Sequence, residues 1–446
     1  MVTEQEVAQR PEAYRRFDRP VPEWFSDAKL GIFVHWGAYA VPAWAEPIGE
    51  LGTIDFPTWY RSNPYAEWYA NTIRIPGSGA QAHQAEVYGG APYDDFLDAW
   101  QAERFDPDAL MTFFASVGAR YFVPTTKHHD GIALWDAPGT DGRNTVARGP
   151  RRDLVEDFAS ATRRAGMRFG VYYSGGLDWH FSDLPPITGS EVVATRPSDE
   201  AYARYAYAHV VDLIERYRPD VLWGDIEWPD AGKPPGPFSL VDVFDRFYAA
   251  QPDGVVNDRF GDTHRDFRTS EYQYGLEAET AGGWENTRGI GYSFGYNRLE
   301  GPEHTMTGPA AVRHFVDVVA RGGNLLLDVG LTAAGEVPPL QRATLEHLRD
   351  WNARNGHAIF GSRPLPSAPA VRDEVPVRWT STEAGVHAFV DGRGELTIPE
   401  LPAEVDPASA QHADGAAAQI VPQGDGWKVS LPRDADSPVL LSFRAA

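Results

Sequence analysis

Short apolar runs alternate with longer amphipathic segments along the first 357 residues of the chain. A short apolar run predicts a buried strand, and apolar residues that recur every three to four positions predict a helix. The predicted strands are 30–35, 121–126, 169–173, 221–228, 255–259, 267–271, one within 290–296, and 325–329. The predicted helices are 106–118, 153–165, 201–217, 241–250, 310–319 and 340–351.

Strands that alternate with helices favour a parallel sheet with crossover helices. An open doubly wound sheet is the main rival to a closed barrel, but the glycine-rich G-x-G-x-x-G turn of such sheets does not follow the first strand. We therefore predict an α/β fold, a (β/α)8-like TIM barrel over residues 1–357. Residues 1–28 form a polar lead-in, and 36–105 form a long aromatic-rich insertion of the kind that often carries function.

The pattern changes near Phe360, where helical periodicity stops. Short alternating runs at 386–390, 427–431 and 439–443 are separated by glycine and proline. This pattern is typical of antiparallel strands, and it predicts a small C-terminal β-sandwich domain over residues 358–446.

Composition narrows the classes of partner. The 446 residues carry a formal net charge of −23, which argues against nucleic acid or an anionic membrane as a partner. The chain contains no cysteine, so disulfides and thiolate chemistry are excluded. Its start is polar, and no apolar run is long enough to span a membrane, so we expect a cytoplasmic protein.

Polar residues recur where the predicted strands end. In TIM barrels the reactive groups come from the carboxyl ends of different strands. These ends carry His35, the pair His128 and His129, Tyr172 and Tyr173, Asp225 with Glu227, Arg259, and Glu271. Side chains alternate faces along a strand, so Trp223, Asp225 and Glu227 are expected on one side.

Paired carboxylates among aromatic rings suit cleavage of a glycosidic bond, with one acid attacking and the other donating a proton. Asp225, Glu227, Glu271 and Glu67 are the candidates, and their spacing does not choose among them. Imidazoles and an arginine can bind sugar hydroxyls, and tryptophans such as Trp59 and Trp68 can stack on the apolar face of a sugar ring.

Two other chemistries fit less well. The chain has no H-x-H or H-E-x-x-H motif, so we expect neither a metal nor another cofactor. The segment GYSFG at 291–295 matches G-x-S-x-G, but no helical pattern follows it, and we interpret the match as chance.

The segments together resemble the α-L-fucosidases of glycoside hydrolase family 29. The matching segments follow the family's order and cover the whole predicted barrel: FVHWG at 33–37, YAEWY at 65–69, TKHHDG at 126–131, VYYS at 171–174, LWGD at 222–225 and SFGYN at 293–297. The resemblance implies a retaining exo-glycosidase that acts on terminal α-L-fucosides of fucosylated oligosaccharides or glycosides, through a covalent glycosyl-enzyme intermediate.

The resemblance also implies roles for individual residues. Asp225 matches the nucleophile, and Glu271 is similar to the acid/base, with Glu67 as its rival. The positions that match fucose contacts are His35, Glu67, His128, His129, Tyr172, Trp223 and Arg259. Phe33 and Phe294 are expected to line a pocket for the C6 methyl group. Glu227 departs from the family pattern.

Two alternatives stay open: a glycosidase for a related sugar, and a carbohydrate-binding barrel without catalysis. The sequence does not predict the aglycone, the linkage or the oligomeric state.

Overall fold

Eight parallel strands form the central sheet of a computed structural model that describes residues 10–189, 195–273, 283–369 and 376–444. The strands are β1 Leu30–His35, β2 Tyr121–Lys127, β3 Arg168–Ser174, β4 Val221–Asp225, β5 Val255–Val256, β6 Arg268–Glu271, β7 Trp284–Gly289 and β8 Asn324–Gly330. Their order in the sheet is β5-β4-β3-β2-β1-β8-β7-β6, so β1 lies in the middle between β2 and β8.

The two outer strands of this sheet approach each other. The backbone N–H groups of Asp266 and Phe267, which lead into β6, donate to the carbonyl of Val256 in β5 at 2.8 and 3.4 Å. The sheet therefore curls into a barrel whose last junction is made by loop contacts. The predicted (β/α)8-like fold is confirmed.

In the part of the barrel that the structure describes, six long helices cover the outside and agree with the six predicted ones: Pro107–Val117, Leu154–Arg164, Glu200–Tyr217, Leu240–Ala250, Gly308–Ala320 and Pro339–Asn355. Side-chain caps fix where several of them begin. Asp106, Asp153 and Asp199 each accept a hydrogen bond from the backbone N–H three residues later. None of the helices in the described ranges is both long and apolar enough to cross a membrane.

Shorter helices lie in the lead-in and in the insertion after β1: Glu12–Arg15, Glu23–Ala28, Phe56–Arg61, Tyr69–Thr72, Gly79–Tyr88 and Asp94–Ala99. The first two occupy a segment that the sequence predicted only as polar, and residues 1–9 of that segment lie outside the described residues.

One strand prediction is wrong. Residues 290–296 do not form a strand; the strand in this region is β7, Trp284–Gly289. Residues 285–287 of this strand are polar yet fully buried, which hides the strand from a search for apolar runs. Glu285 accepts hydrogen bonds from Tyr121 and Trp223, and Asn286 donates to Ser270 at 2.9 Å. The predicted strand 255–259 is also shorter than expected, since regular pairing ends at Val256.

Two antiparallel sheets make up the described residues of the C-terminal region, as the sandwich prediction requires. Their strands are β9 Arg363–Pro364, β10 Val377–Thr382, β11 Gly385–Val390, β12 Gly394–Ile398, β13 Gln411–His412, β14 Ile420–Gln423, β15 Gly426–Leu431 and β16 Val439–Phe443. One sheet has the order β13-β16-β11-β10-β9 and the other β12-β15-β14. An apolar core that includes Trp379 and Phe443 lies between them, and the Trp351 indole of the barrel donates to Pro438 at 3.1 Å.

Candidate active site

A cavity of about 530 Å³ opens where the barrel strands end. In barrels of this type that end of the sheet carries the reactive groups. The cavity is lined by thirteen of the residues predicted for catalysis or binding: Phe33, His35, Trp59, Glu67, Trp68, His128, His129, Tyr172, Trp223, Asp225, Arg259, Glu271 and Phe294.

Asp225 is the last residue of β4, and its carboxylate is held by three donors. Tyr172 donates its hydroxyl to Oδ2 at 2.6 Å, while Arg259 and the Ile226 backbone N–H donate to Oδ1 at 2.9 and 2.8 Å. The side chain is only 10% exposed, so the carboxylate is both fixed and shielded from bulk water.

Arg259 joins Asp225 to the second carboxylate, Glu271, at the end of β6. Its Nη2 donates to Glu271 Oε2 at 2.8 Å, and the Tyr65 hydroxyl donates to Oε1 at 2.9 Å. Burial lowers the pKa of Arg259, but the two carboxylates outweigh burial and raise it above its ordinary value. The guanidinium also lies 4.8 Å from the centre of the Trp223 ring, a cation–π distance.

Glu67 lies deeper in the cavity than Glu271. Glu67 is only 1% exposed. Its Oε2 accepts hydrogen bonds from the Gly295 backbone N–H at 2.7 Å and from the Ser293 hydroxyl at 3.1 Å. Burial raises the pKa of Glu67 to about 7, against the effect of those hydrogen bonds. At neutral pH the group can therefore exchange a proton or accept a hydroxyl donor.

Three histidines form one wall. His35 Nδ1 lies 2.6 Å from Asp328 Oδ1 at the base of the site. Burial lowers the pKa of His35 to about 3 and raises that of Asp328, which favours an uncharged pair. Burial also lowers the pKa values of His128 and His129 well below the ordinary range. The wall therefore presents neutral imidazoles, each able to donate at one nitrogen and accept at the other.

Aromatic rings complete the enclosure. The Phe33 ring lies 5.0 Å from that of Trp223, and the Phe294 ring lies 4.9 Å from that of His35. The Trp223 indole is fixed from beneath because it donates to the buried Glu285 at 2.9 Å. The cavity thus pairs an apolar patch with a polar wall, as a ligand with both hydroxyl and methyl groups requires.

The site's other polar groups do not form a different reactive centre. Ser293, within the G-x-S-x-G match, follows β7 in an irregular turn and gives its hydroxyl to Glu67 and the Gly295 carbonyl. Among the residues that the structure describes, no group of three or more His, Asp or Glu side chains is arranged to hold a metal ion.

Comparison with known proteins agrees with this geometry. A family described as alpha-L-fucosidase matches residues 2–357 of the chain. The chain belongs to the α-L-fucosidase family. The tissue alpha-L-fucosidase of Homo sapiens is 30% identical over 385 residues, which cover 83% of this chain and 76% of the human protein.

Solved structures are similar to this chain over almost its whole length. One alpha-L-fucosidase structure matches with a TM-score of 0.90 and 40% identity, covering 98% of this chain and 99% of its own. The structure of Thermotoga maritima alpha-fucosidase in complex with fucose matches with a TM-score of 0.84 and 40% identity, covering 95% of this chain and 97% of its own. The similarity includes the C-terminal sheets.

One prediction within this fucosidase site is wrong: Glu227 does not share a side with Asp225. The strand ends at Asp225, and Ile226 has a φ of 66°, which turns the chain before Glu227. Glu227 then pairs with Lys233 at 3.0 Å and accepts from the Trp228 backbone N–H at 3.1 Å. Its departure from the family pattern therefore falls outside the cavity lining.

Sequence reasoning missed Tyr65 as a functional residue. It lies two positions before Glu67 in the aromatic segment YAEWY at 65–69, and its hydroxyl donates to Glu271. The available signal was that aromatic segment itself, but the contact joins residues 206 positions apart. Thr287 also lines the cavity, and it lies on the strand that the apolar pattern failed to reveal.

Proposed function

We propose that this member of the α-L-fucosidase family hydrolyses terminal α-L-fucosides with retention of anomeric configuration. The observation that carries the proposal is the sharing of Arg259 by Asp225 and Glu271, at 2.9 and 2.8 Å. One guanidinium holds both carboxylates at one end of the cavity. Retaining glycosidases need such proximity, with the two carboxyl groups about 5–5.5 Å apart.

In the first step Asp225 attacks the anomeric carbon of the fucoside. A bond forms between a carboxylate oxygen and that carbon while the bond to the glycosidic oxygen breaks. Protonated Glu271 gives its proton to the leaving oxygen, so the aglycone departs as a neutral alcohol. The hydrogen bonds from Tyr172 and Ile226 hold the carboxylate in the orientation from which it attacks.

In the second step water replaces the enzyme at the anomeric carbon. Glu271, now a carboxylate, removes a proton from the water, whose oxygen bonds to the carbon as the ester to Asp225 breaks. Fucose leaves with its original configuration, Asp225 is again ionised and Glu271 is again protonated.

The walls of the cavity select the sugar. The neutral imidazoles of His35 and His128, with Glu67, offer acceptors and donors to the hydroxyl groups. Phe33 and Phe294 provide apolar surface, which favours the C6 methyl group of fucose over a hydroxymethyl group that would lose water there. The substrate class is a fucosylated oligosaccharide or another fucoside.

The test is hydrolysis of a nitrophenyl α-L-fucoside by the wild type, Asp225→Ala and Glu227→Gln, with a chelator present. Glu227→Gln is the matched control because it removes a carboxylate two positions along the chain that lies outside the cavity lining. We expect turnover in the wild type and the control, with none in Asp225→Ala. Proton NMR of the first product should show α-fucose.

Each contrary outcome has a distinct meaning. Substantial activity in Asp225→Ala would show that Asp225 is not the nucleophile. If β-fucose is the first product, the reaction does not proceed with retention. Turnover confined to another aryl glycoside would indicate a related sugar, and binding of fucose without turnover would indicate a carbohydrate-binding barrel.

A further inference from the structure

We propose that Ser174 is a positioning residue that fixes the tautomer of His129 and makes its Nε2 an obligate hydrogen-bond acceptor beside Asp225. The proposal rests on the proposed function, because it describes how the sugar is held next to the nucleophile. Ser174 is the last residue of β3 and is fully buried.

The hydroxyl of Ser174 has a single proton. Ser174 Oγ lies 2.8 Å from the Leu177 carbonyl oxygen and 2.6 Å from His129 Nδ1. Lys127 and Tyr202 also donate to this carbonyl, but at 3.4 Å each, and the shorter serine contact still needs a proton of its own. A carbonyl oxygen has no proton, so the proton between Ser174 Oγ and the carbonyl oxygen belongs to Ser174. Ser174 must then accept from the ring, which places a proton on His129 Nδ1.

The other ring nitrogen faces the nucleophile. His129 Nε2 lies 3.7 Å from Asp225 Oδ2, longer than a charge-assisted hydrogen bond of about 2.7–2.9 Å. Asp225 already accepts from Tyr172, Arg259 and the Ile226 N–H. Burial, with Lys127 nearby, lowers the pKa of His129, so the ring is neutral and its Nε2 carries a lone pair.

His129 Nε2 and the Asp225 carboxylate are therefore two hydrogen-bond acceptors that face the same space. That space favours a ligand group that can donate a hydrogen bond. A group that contacts both Nε2 and Asp225 lies close to the anomeric carbon of a bound sugar. The ring oxygen and the glycosidic oxygen there have no proton to donate, so the donor is the hydroxyl on carbon 2. Ser174 thus makes the site selective for a sugar with a donor at that position.

The test compares inhibition constants of L-fucose and 2-deoxy-2-fluoro-L-fucose. Fluorine is close in size to a hydroxyl and can accept weakly but cannot donate. The wild type should bind L-fucose more tightly, by about fivefold or more, since one neutral hydrogen bond is lost. In Ser174→Ala the freed ring can carry its proton on Nε2, and the preference should shrink severalfold.

The matched control is Thr162→Val, which removes an equally buried hydroxyl that donates to the Phe158 carbonyl at 2.7 Å, on a helix outside the cavity lining. Its preference for L-fucose should equal that of the wild type. If Ser174→Ala weakens both sugars equally and leaves the preference unchanged, the residue is merely structural and the proposal is wrong.

A second measurement needs no Ser174 variant. In 15N-histidine NMR of the wild type, with His129 assigned from the signal lost in His129→Gln, we expect a neutral ring protonated at Nδ1. A ring protonated at Nε2 would overturn the proposal. A wild type that fails to hydrolyse the nitrophenyl fucoside would instead overturn the proposed function, which keeps the two failures distinguishable.

Discussion

Glu271→Gln should separate substrates by their leaving groups. The variant keeps an oxygen that can accept from Tyr65, so the side chain stays nearly isosteric, but it has no proton for the glycosidic oxygen. A nitrophenolate leaves without protonation, whereas a sugar alkoxide does not. The loss of activity should therefore depend strongly on the pKa of the departing alcohol.

The size of the effect follows from the role of the group. General acid catalysis contributes about 10²- to 10⁴-fold, or roughly 3–5 kcal/mol of the barrier. A fucosylated disaccharide should lose that factor in kcat/KM. Nitrophenyl α-L-fucoside should lose about tenfold or less, because only the ion pair with Arg259 and its positioning effect are disturbed in the first step.

Glu67→Gln is the control, since Glu67 is the other carboxylate proposed for this role. It lies deep in the cavity and is bonded to Gly295 and Ser293, so we expect it to bind the sugar. Its replacement should lower kcat/KM for both substrates by similar factors. If Glu67→Gln shows the leaving-group dependence and Glu271→Gln does not, the two roles are exchanged.

Two further predictions test the surroundings of these groups. Tyr172→Phe removes the 2.6 Å hydrogen bond to Asp225, a charge-assisted bond, so kcat/KM should fall about 10- to 100-fold; an unchanged value would refute this role of the hydroxyl. Burial raises the pKa values of Glu67 and Glu285 to about 7 and that of Glu300 to about 8. The folded state therefore holds these protons more tightly, and its stability should fall between pH 5 and 8 as they are lost. Urea unfolding at several pH values should show that the free energy of unfolding falls less with pH in Glu285→Gln than in the wild type, by about 3 kcal/mol at most. An identical fall in both proteins would contradict the raised pKa of Glu285.

The local pattern of apolar and polar residues was sufficient to predict a strand wherever that strand is apolar. Apolar runs end at His35 and at Asp225, and each run predicts a buried parallel strand. The fold places the carboxyl ends of both strands at the same end of the barrel. The apolar pattern failed at β7, because this buried strand contains the polar Glu285. The carboxyl group of Glu285 accepts hydrogen bonds from Tyr121 and Trp223. These partners lie on other strands, and no local window of sequence contains them.

The same limit explains the two errors of detail at the site. Alternation assumes that a strand continues, but the positive φ of Ile226 ends the strand, so that of the two acids only Asp225 lines the cavity. Tyr65 reaches Glu271 from the insertion after β1, and Arg259 reaches both carboxylates from the loop after β5. The reactive carboxylates sit on strands whose ends the sequence reveals, and Tyr172 reaches Asp225 from β3, whereas Tyr65 and Arg259 come from loops whose paths are set by tertiary packing. Residue identities at strand ends therefore predict the chemistry, and only the folded chain shows the hydrogen bonds that prepare each carboxylate for it.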